Sequence, residues 1–167
     1  MLMTFIYGLM IILGIVSLDQ LTKVMSLALL KTENNSLEII KGFFRLELKL
    51  NDGAAFSSFS GKFYLLMAIT VVATIIFIAM ALKANFKKAP WYSVGIFFMI
   101  GGMLGNLIDR IFRPNHAVVD MLSFTFFGSD FAVFNVADSF LVVGVILLLI
   151  DVIFFEGKRT KVVKNNA

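Results

Sequence analysis

Two uninterrupted apolar segments restrict the fold of this chain more than any other feature of its sequence. Residues 63–82 and residues 89–108 each run for 20 positions without a charged side chain. An α-helix of about 20 apolar residues covers the ~30 Å of hydrocarbon in a bilayer. Isolated strands cannot replace such helices, because lipid offers no hydrogen bonds to exposed backbone groups. Both segments are therefore predicted to be transmembrane helices.

Two further segments are almost as apolar, which extends the prediction to the whole chain. Residues 4–28 contain only Asp19 and Lys23 as charged residues, and residues 138–155 contain only Asp138 and Asp151. The composition agrees, since 59% of all residues are hydrophobic and 16% are charged, whereas soluble domains average about 45–50% and 25%. We therefore expect one integral membrane domain over residues 1–167, with four membrane-spanning helices.

The distribution of charge predicts which side of the membrane each connection faces. The 83–88 loop and the 156–167 tail together carry seven Lys or Arg residues and a single acid, Glu156. Short segments rich in Lys and Arg stay in the cytoplasm. We therefore expect both termini in the cytoplasm and residues 31–61 and 110–136 on the outer side.

The two outer segments differ in composition from plain loops. Residues 44–50 alternate apolar and charged side chains at every position, which is typical of a strand with one buried and one wet face. This strand is predicted to belong to a small sheet on the outer leaflet. Residues 121–134 contain five Phe, and this composition favours an interfacial flap.

Residue counts narrow the chemistry that the chain can perform. Cysteine is absent and the one histidine is His116, so disulfides, a thiol nucleophile and a zinc site with two histidines are excluded. His116, within Arg-Pro-Asn-His-Ala, favours a surface loop over a catalytic triad. Without a basic stripe between exposed aromatics, no nucleic acid partner is expected, and neither a metal nor a cofactor is expected.

Polar residues collect beside the ends of the apolar segments. With both termini inside, the following would all lie at the outer end of the bundle: Asp19, Lys23, Asn51, Asn106, Asp109, Arg110, Asp120, Asn135 and Asp138. Charges in or beside a bilayer are expensive and usually mark a pathway or an active site. Without His or Cys, the remaining chemistry is that of paired carboxylates, in which one keeps a proton while the other acts as base toward water. Such a pair titrates as a unit.

The same residues form five sequence blocks that resemble a known family. The blocks are Asp19-Gln20-Leu21-Thr22-Lys23, Asn51-x-Gly53-Ala54-Ala55-Phe56, Gly105-Asn106-x-x-Asp109-Arg110, Val118-Val119-Asp120 and Phe134-Asn135-x-Ala137-Asp138. In order and spacing they resemble the lipoprotein signal peptidases (signal peptidase II), from the first span to the last. One block alone would be weak evidence, but the five together are highly specific.

The resemblance implies a fold and an activity. The fold would be an all-α membrane protein with four transmembrane helices, a small outer β-cradle and a short outer helix. The activity would be that of an aspartyl endopeptidase in the bacterial cytoplasmic (inner) membrane, with its active site near the outer face. Such enzymes cleave prolipoproteins just before a diacylglyceryl-modified cysteine. The implied partners are lipidated prolipoproteins, membrane lipid and globomycin-type inhibitors, and a monomer without a cofactor is expected.

The resemblance also assigns roles to residues. The residues matching the catalytic pair are Asp120 and Asp138. Those matching positions around the substrate are Asn51, Gly53, Asn106, Arg110 and Asn135. Those expected to support the site are Asp19, Lys23 and Asp109.

Other interpretations of these residues stay open at this point. Asp138, followed by Ser139 at a helix start, could serve only as an N-cap. Asp19 and Lys23 lie one turn apart and favour a structural bridge, while Asp109 and Arg110 are expected to form an ion pair in addition to any substrate contact.

Two other classes of protein compete with the peptidase hypothesis. A proton-coupled transporter could use Asp120 and Asp138 as a relay. Transporters place their sites near the midplane and often contain repeats, whereas here the polar groups gather at one surface and no repeat is evident. A catalytically silent binder of lipoproteins is the second alternative, and the presence of both carboxylates argues against it.

Overall fold

The fold contains the four apolar helices expected from the sequence. A computed structural model describes residues 2–31, 35–52 and 63–159 of the chain. The helices are α1 (Leu2–Leu30), α2 (Phe63–Ala81), α3 (Pro90–Phe112) and α4 (Val136–Asp151), and α4 continues through a π-helical turn (Val152–Glu156). Each is long and apolar enough to cross a membrane when α4 is taken with its continuation to Arg159. Their ends fall within four residues of the expected ones.

Helix α3 lies at the centre of the bundle and packs against the other three helices. Its inner face is buried and includes Ile96, Phe97, Ile100 and Met103. The three helices around α3 instead expose large apolar side chains along most of their length. Such a surface would be unfavourable in water and is the solvated surface in lipid.

Glycine allows α3 to approach its neighbours closely at the end where the polar residues lie. A Cβ atom at Gly102 would lie 2.6 Å from the carbonyl oxygen of Ala137, and one at Gly105 would lie 2.7 Å from Asp19 Oδ2. Small residues at such crossings let helix backbones come together in membranes. The start of α4 is therefore held directly against the last turns of α3.

A four-stranded antiparallel sheet lies at the same end of the bundle. Its order is β1 (Ser36–Ile40), β2 (Phe44–Asn51), β3 (Val118–Phe126) and β4 (Ser129–Asp130). The expected strand at 44–50 is β2. The expectation of an interfacial flap over 121–134 was wrong for its first half, because β3 pairs with β2 through Phe124 and with β4 at Thr125 and Phe126. The sequence of β3 does not alternate strictly between apolar and polar residues, because the side chains on both of its faces are largely buried.

The strand register brings residues of β2 beside the acidic residue of β3. Asn51 pairs with Val118, and Lys49 pairs with Asp120. Since paired residues share a face, Lys49, Asn51 and Asp120 all project to one side of the sheet. A three-residue turn, Pro114–His116, joins α3 to this strand, and its Asn115 and His116 have positive φ angles of 59° and 55°. Residues 35–52 and 113–135 contain no other counterpart of the short outer helix.

Candidate active site

Asp120 and Asp138 come from different elements and face the same cavity. Asp120 lies on β3, Asp138 lies in the first turn of α4, and the cavity has a volume of about 540 Å³. Part of its wall is polar, from Lys49, Asn51, Asn106 and Arg110. The rest is mostly apolar and is formed by Ile69, Thr70, Ala73, Met103, Val118, Phe131, Ala132, Val133, Phe134, Leu141 and Val142.

Three asparagine amides hold the two carboxylates. Asn135 Nδ2 donates to Asp120 Oδ1 at 2.6 Å and to Asn106 Oδ1 at 3.1 Å. Asn106 Nδ2 in turn donates to Asp138 Oδ1 at 2.7 Å, so that a chain of amides links one carboxylate to the other. Asn51 Nδ2 donates to the second oxygen of Asp120 at 2.9 Å. Both acids are thereby fixed in orientation toward the cavity.

The start of α4 explains how Asp138 is placed. Asn135 is the N-cap of the helix, and its side chain accepts a hydrogen bond from the Asp138 backbone N–H at 2.9 Å. Asp138 Oδ2 accepts one from the Asn135 N–H at 3.3 Å, which completes a capping box. Asp138 is therefore the third residue of the helix, and its interpretation as the N-cap was wrong. Its carboxylate still lies at the positive end of the helix dipole.

The surroundings of Asp120 suit a group that exchanges a proton near neutral pH. Burial, above all, raises the pKa of Asp120 to about 6, and the nearby charge of Asp138 acts in the same direction. The hydrogen bonds from Asn51 and Asn135 oppose this rise because they favour the ionised carboxylate. A pKa close to the working pH is what general acid–base catalysis requires.

Lys23 connects α1 to the hydrogen-bond network of the asparagines and carboxylates. Its ammonium is buried and lies 2.8 Å from carboxylate oxygens of both Asp19 and Asp109. It also donates to Asn106 Oδ1 at 3.0 Å. The other oxygen of Asp19 accepts a hydrogen bond from the Ala137 N–H at 2.9 Å. Through these contacts α1 is tied to α3 and to the first turn of α4.

The expected ion pair between Asp109 and Arg110 is absent. Asp109 binds Arg113 Nε at 2.7 Å, in addition to Lys23, and accepts a hydrogen bond from the Val119 N–H at 3.1 Å. Consecutive residues of a helix point to different faces, whereas residues four apart share one. The Arg110 side chain lines the cavity and has no hydrogen-bond or ion-pair partner within the described parts of the chain. Its guanidinium group is therefore free to bind a ligand in the cavity.

Some contributors to the site were not assigned a role from the sequence. Gln20 donates to the Gly105 carbonyl and to Asp109 Oδ1, both at 3.1 Å, and so joins α1 to α3. Lys49 lines the cavity although the alternation of its strand indicated only a wet face. Its proximity to Asp120 depends on the pairing of β2 with β3. The predicted role of Gly53 falls outside the described residues.

Comparison with known proteins supports the resemblance noted in the sequence blocks. Residues 11–154 match the family model described as signal peptidase (SPase) II. A lipoprotein signal peptidase from Enterococcus faecalis is 43% identical over 155 residues, covering 90% of this chain and 89% of that protein. One from Bacillus pumilus is 38% identical over 148 residues, covering 87% of this chain and 91% of that protein.

A solved structure has the same architecture. It is a bacterial membrane enzyme determined by the in meso method at 1.9 Å resolution, with a TM-score of 0.76 and 33% sequence identity. The match covers 89% of this chain and 94% of the solved one. A family match over most of the sequence, relatives above 35% identity and a shared fold agree, and this multi-pass membrane protein therefore belongs to the signal peptidase II family.

Proposed function

We propose that this protein is an intramembrane aspartyl endopeptidase that removes the signal peptide of prolipoproteins by cleaving before the diacylglyceryl-modified cysteine. One observation carries the aspartyl mechanism: Asp120 and Asp138, from separate elements, share a cavity and are linked by amide hydrogen bonds. The substrate class is supported by the relatives, which are lipoprotein signal peptidases.

The proposed reaction uses the two carboxylates with one proton between them. The ionised Asp removes a proton from a water molecule, whose oxygen attacks the carbonyl carbon of the scissile peptide bond. The protonated Asp donates a hydrogen bond to the carbonyl oxygen and then gives its proton to the nitrogen as the C–N bond breaks. The products are a signal peptide with a free carboxylate and a lipoprotein with a free amine on its lipidated cysteine.

The polar wall of the cavity is proposed to orient both enzyme and substrate. Asn51, Asn106 and Asn135 donate to the carboxylates, and we propose that they contact the substrate backbone as well. Arg110, whose side chain has no partner in the described regions, would bind a substrate carbonyl oxygen. Gly53 remains a predicted contact.

The apolar wall is proposed to receive the lipidated end of the substrate. Ile69 and Ala73 from α2 and Leu141 and Val142 from α4 line this part of the cavity. A diacylglyceryl group in the outer leaflet would contact this surface while the peptide bond reaches the carboxylates. The lipid then provides binding energy that an unmodified precursor lacks.

The proposed orientation in the bacterial cytoplasmic membrane follows from where the charges lie. Asp138 begins α4 beside the sheet, whereas Asp151 lies at the opposite end of that helix and pairs with Arg159. The basic 83–88 loop connects α2 to α3 at the end away from the sheet. We propose that this basic end and both termini face the cytoplasm, which places the carboxylates near the outer face.

The proposed activity is tested with purified protein in detergent and a lipidated prolipoprotein. Mass spectrometry should show a cut immediately before the modified cysteine, and globomycin should block it. The matched control is the same precursor without the diacylglyceryl group, which should be cleaved far more slowly. Absence of cleavage by active, folded protein, or equal cleavage of both precursors, would contradict the proposal and favour a binding or transport role.

A further inference from the structure

An ion pair on the outer sheet joins strands that are not neighbours. Arg45, on β2, donates to Asp130, on β4, through two nitrogens, with distances of 3.1 Å to Oδ1 and 2.9 Å to Oδ2. Thr125, on the intervening strand β3, donates to Asp130 Oδ1 at 2.7 Å. This bidentate contact fixes the relative position of the two side chains more tightly than a single ion pair would. The sheet is thus tied across three strands.

The hairpin that ends at Asp130 has a short backbone ladder. Strand β4 has two residues, and its ladder with β3 consists of Thr125 opposite Asp130 and Phe126 opposite Ser129. The turn between them has positive φ angles at Phe127 (50°) and Gly128 (78°). Of these two residues, only glycine adopts the left-handed region freely. So short a ladder is weakly stable by itself, and the contact with Arg45 is therefore a substantial part of what holds it.

The segment that follows Asp130 forms part of the cavity wall. Residues 131–134 all line the cavity, and they lead directly into Asn135, the N-cap of α4. At its two ends the segment is bound to β3, by the hydrogen bond from Phe131 N–H to the Phe124 carbonyl and by those between Phe134 and Leu122. Between these points, Ala132 and Val133 have no backbone hydrogen bond to the sheet among the described residues. The first of these attachments directly follows Asp130 in the chain, so the anchoring of Asp130 contributes to the position of the wall.

We propose that Arg45 and Asp130 are positioning residues for substrate binding, which hold residues 131–134 in place against the lipidated part of the substrate. This inference rests on the proposed function of the cavity. Among the described residues, no hydrogen bond or ion pair joins Arg45 or Asp130 to Asp120 or Asp138, so the pair acts on binding and leaves the chemical step unchanged.

The solvent exposure of Arg45 and Asp130 argues for a local positioning role and against a contribution to global stability. The side chain of Asp130 is 57% exposed and that of Arg45 is 29% exposed, and exposed ion pairs contribute little to global stability. Hydrogen bonding to Arg45 lowers the pKa of Asp130 to about 2, so the contact persists at all pH values at which the enzyme would be assayed. Loss of the pair should therefore loosen the wall while the bundle remains folded.

The test measures KM and kcat for a lipidated prolipoprotein with the purified protein in detergent. Arg45→Ala and Asp130→Asn should each raise KM about fivefold, with kcat and the thermal midpoint of unfolding unchanged. The matched control is Glu47→Gln, which removes the other ion pair of Arg45, at 2.9 Å, and leaves the contact with Asp130 intact. Its KM should equal that of the wild type.

A charge exchange completes the experiment. In the Glu47→Gln background, Arg45→Asp combined with Asp130→Arg should restore KM to within about twofold of the background, whereas either exchange alone should not. Unchanged KM in both single variants, or a fall in kcat and in the thermal midpoint together, would overturn the inference. A wild-type protein that cleaves no prolipoprotein would instead overturn the proposed function.

Discussion

At the residue scale, the buried ammonium of Lys23 compensates the two carboxylates of Asp19 and Asp109. Removing one partner from a buried ion pair leaves an uncompensated charge and typically costs about 3–5 kcal/mol. We therefore expect Lys23→Met to lower the thermal midpoint of unfolding in detergent strongly. Lys31→Met, which removes an exposed cation just after the same helix, should leave it unchanged. Equal midpoints for Lys23→Met and the wild type would contradict this account of the network.

The raised pKa of Asp120 predicts how stability changes with pH. The folded pKa is about 6, whereas an unfolded Asp titrates near 3.9. The protonated form therefore favours the folded state, and the contribution is complete below about pH 4 and lost as the pH rises through about 6. The amide introduced by Asp120→Asn cannot ionise, so this variant does not lose this stability in this pH range. Its thermal midpoint, relative to that of the wild type, should increase from pH 4 to pH 7; a constant difference would contradict the prediction.

Sequence alone could nominate candidate site residues, but it could not give all of their contacts. Asp120 and Asp138 could be singled out because their blocks resemble a family. The partner of Asp109 could not, since Arg110 is its neighbour in the chain while Arg113 and Lys23 are its neighbours in space. The N-cap of α4 was missed for a similar reason: Asn135 and Asp138 exchange two hydrogen bonds, and the sequence does not say which of them begins the helix.

At the element scale, the contact between α3 and α4 depends on a glycine. Gly102→Ala would place a Cβ atom 2.6 Å from a backbone carbonyl oxygen of α4, so the two helices must separate. This separation would move Asn106 away from Asp138, and we expect both the thermal midpoint and kcat to fall. The measurements are thermal unfolding and single-turnover cleavage in detergent.

The chain offers a matched control for this substitution on α1. A Cβ atom at Gly14 would meet no atom within 4 Å, and Gly→Ala in a helix is favourable by about 0.5–1 kcal/mol. Gly14→Ala should therefore retain full activity and an equal or slightly higher midpoint. If Gly102→Ala behaved in the same way, close packing of α3 on α4 would not be what positions Asp138.

The elements themselves were unequally predictable. The helices could be predicted from their hydrophobic runs, and β2 from its strict alternation of apolar and charged residues. In each case the environment of the side chains leaves a recognisable pattern in the sequence. Strand β3 was missed since Val119 and Met121 are buried on one face while Asp120 faces the cavity on the other. A pattern that is buried on both faces carries no period that indicates a strand.

At the scale of the whole molecule, the proposed orientation can be tested with single cysteines, since the chain contains none. Lys41→Cys lies in the turn between β1 and β2, and Lys88→Cys lies in the loop between α2 and α3; both positions are exposed. A membrane-impermeant maleimide should label position 41 in intact cells without an outer membrane. Position 88 should react only after permeabilisation, and the opposite pattern would invert the proposed topology.

The most direct test of the aspartyl mechanism replaces each carboxylate of the pair by an amide of the same size. Asp120→Asn and Asp138→Asn should each lower kcat for a lipidated prolipoprotein by about 10²–10⁴-fold, the usual contribution of a general acid or base. Asp151→Asn changes a buried acid at the opposite end of α4 and should retain the wild-type kcat per folded molecule. Wild-type kcat in either Asp120→Asn or Asp138→Asn would contradict the central claim.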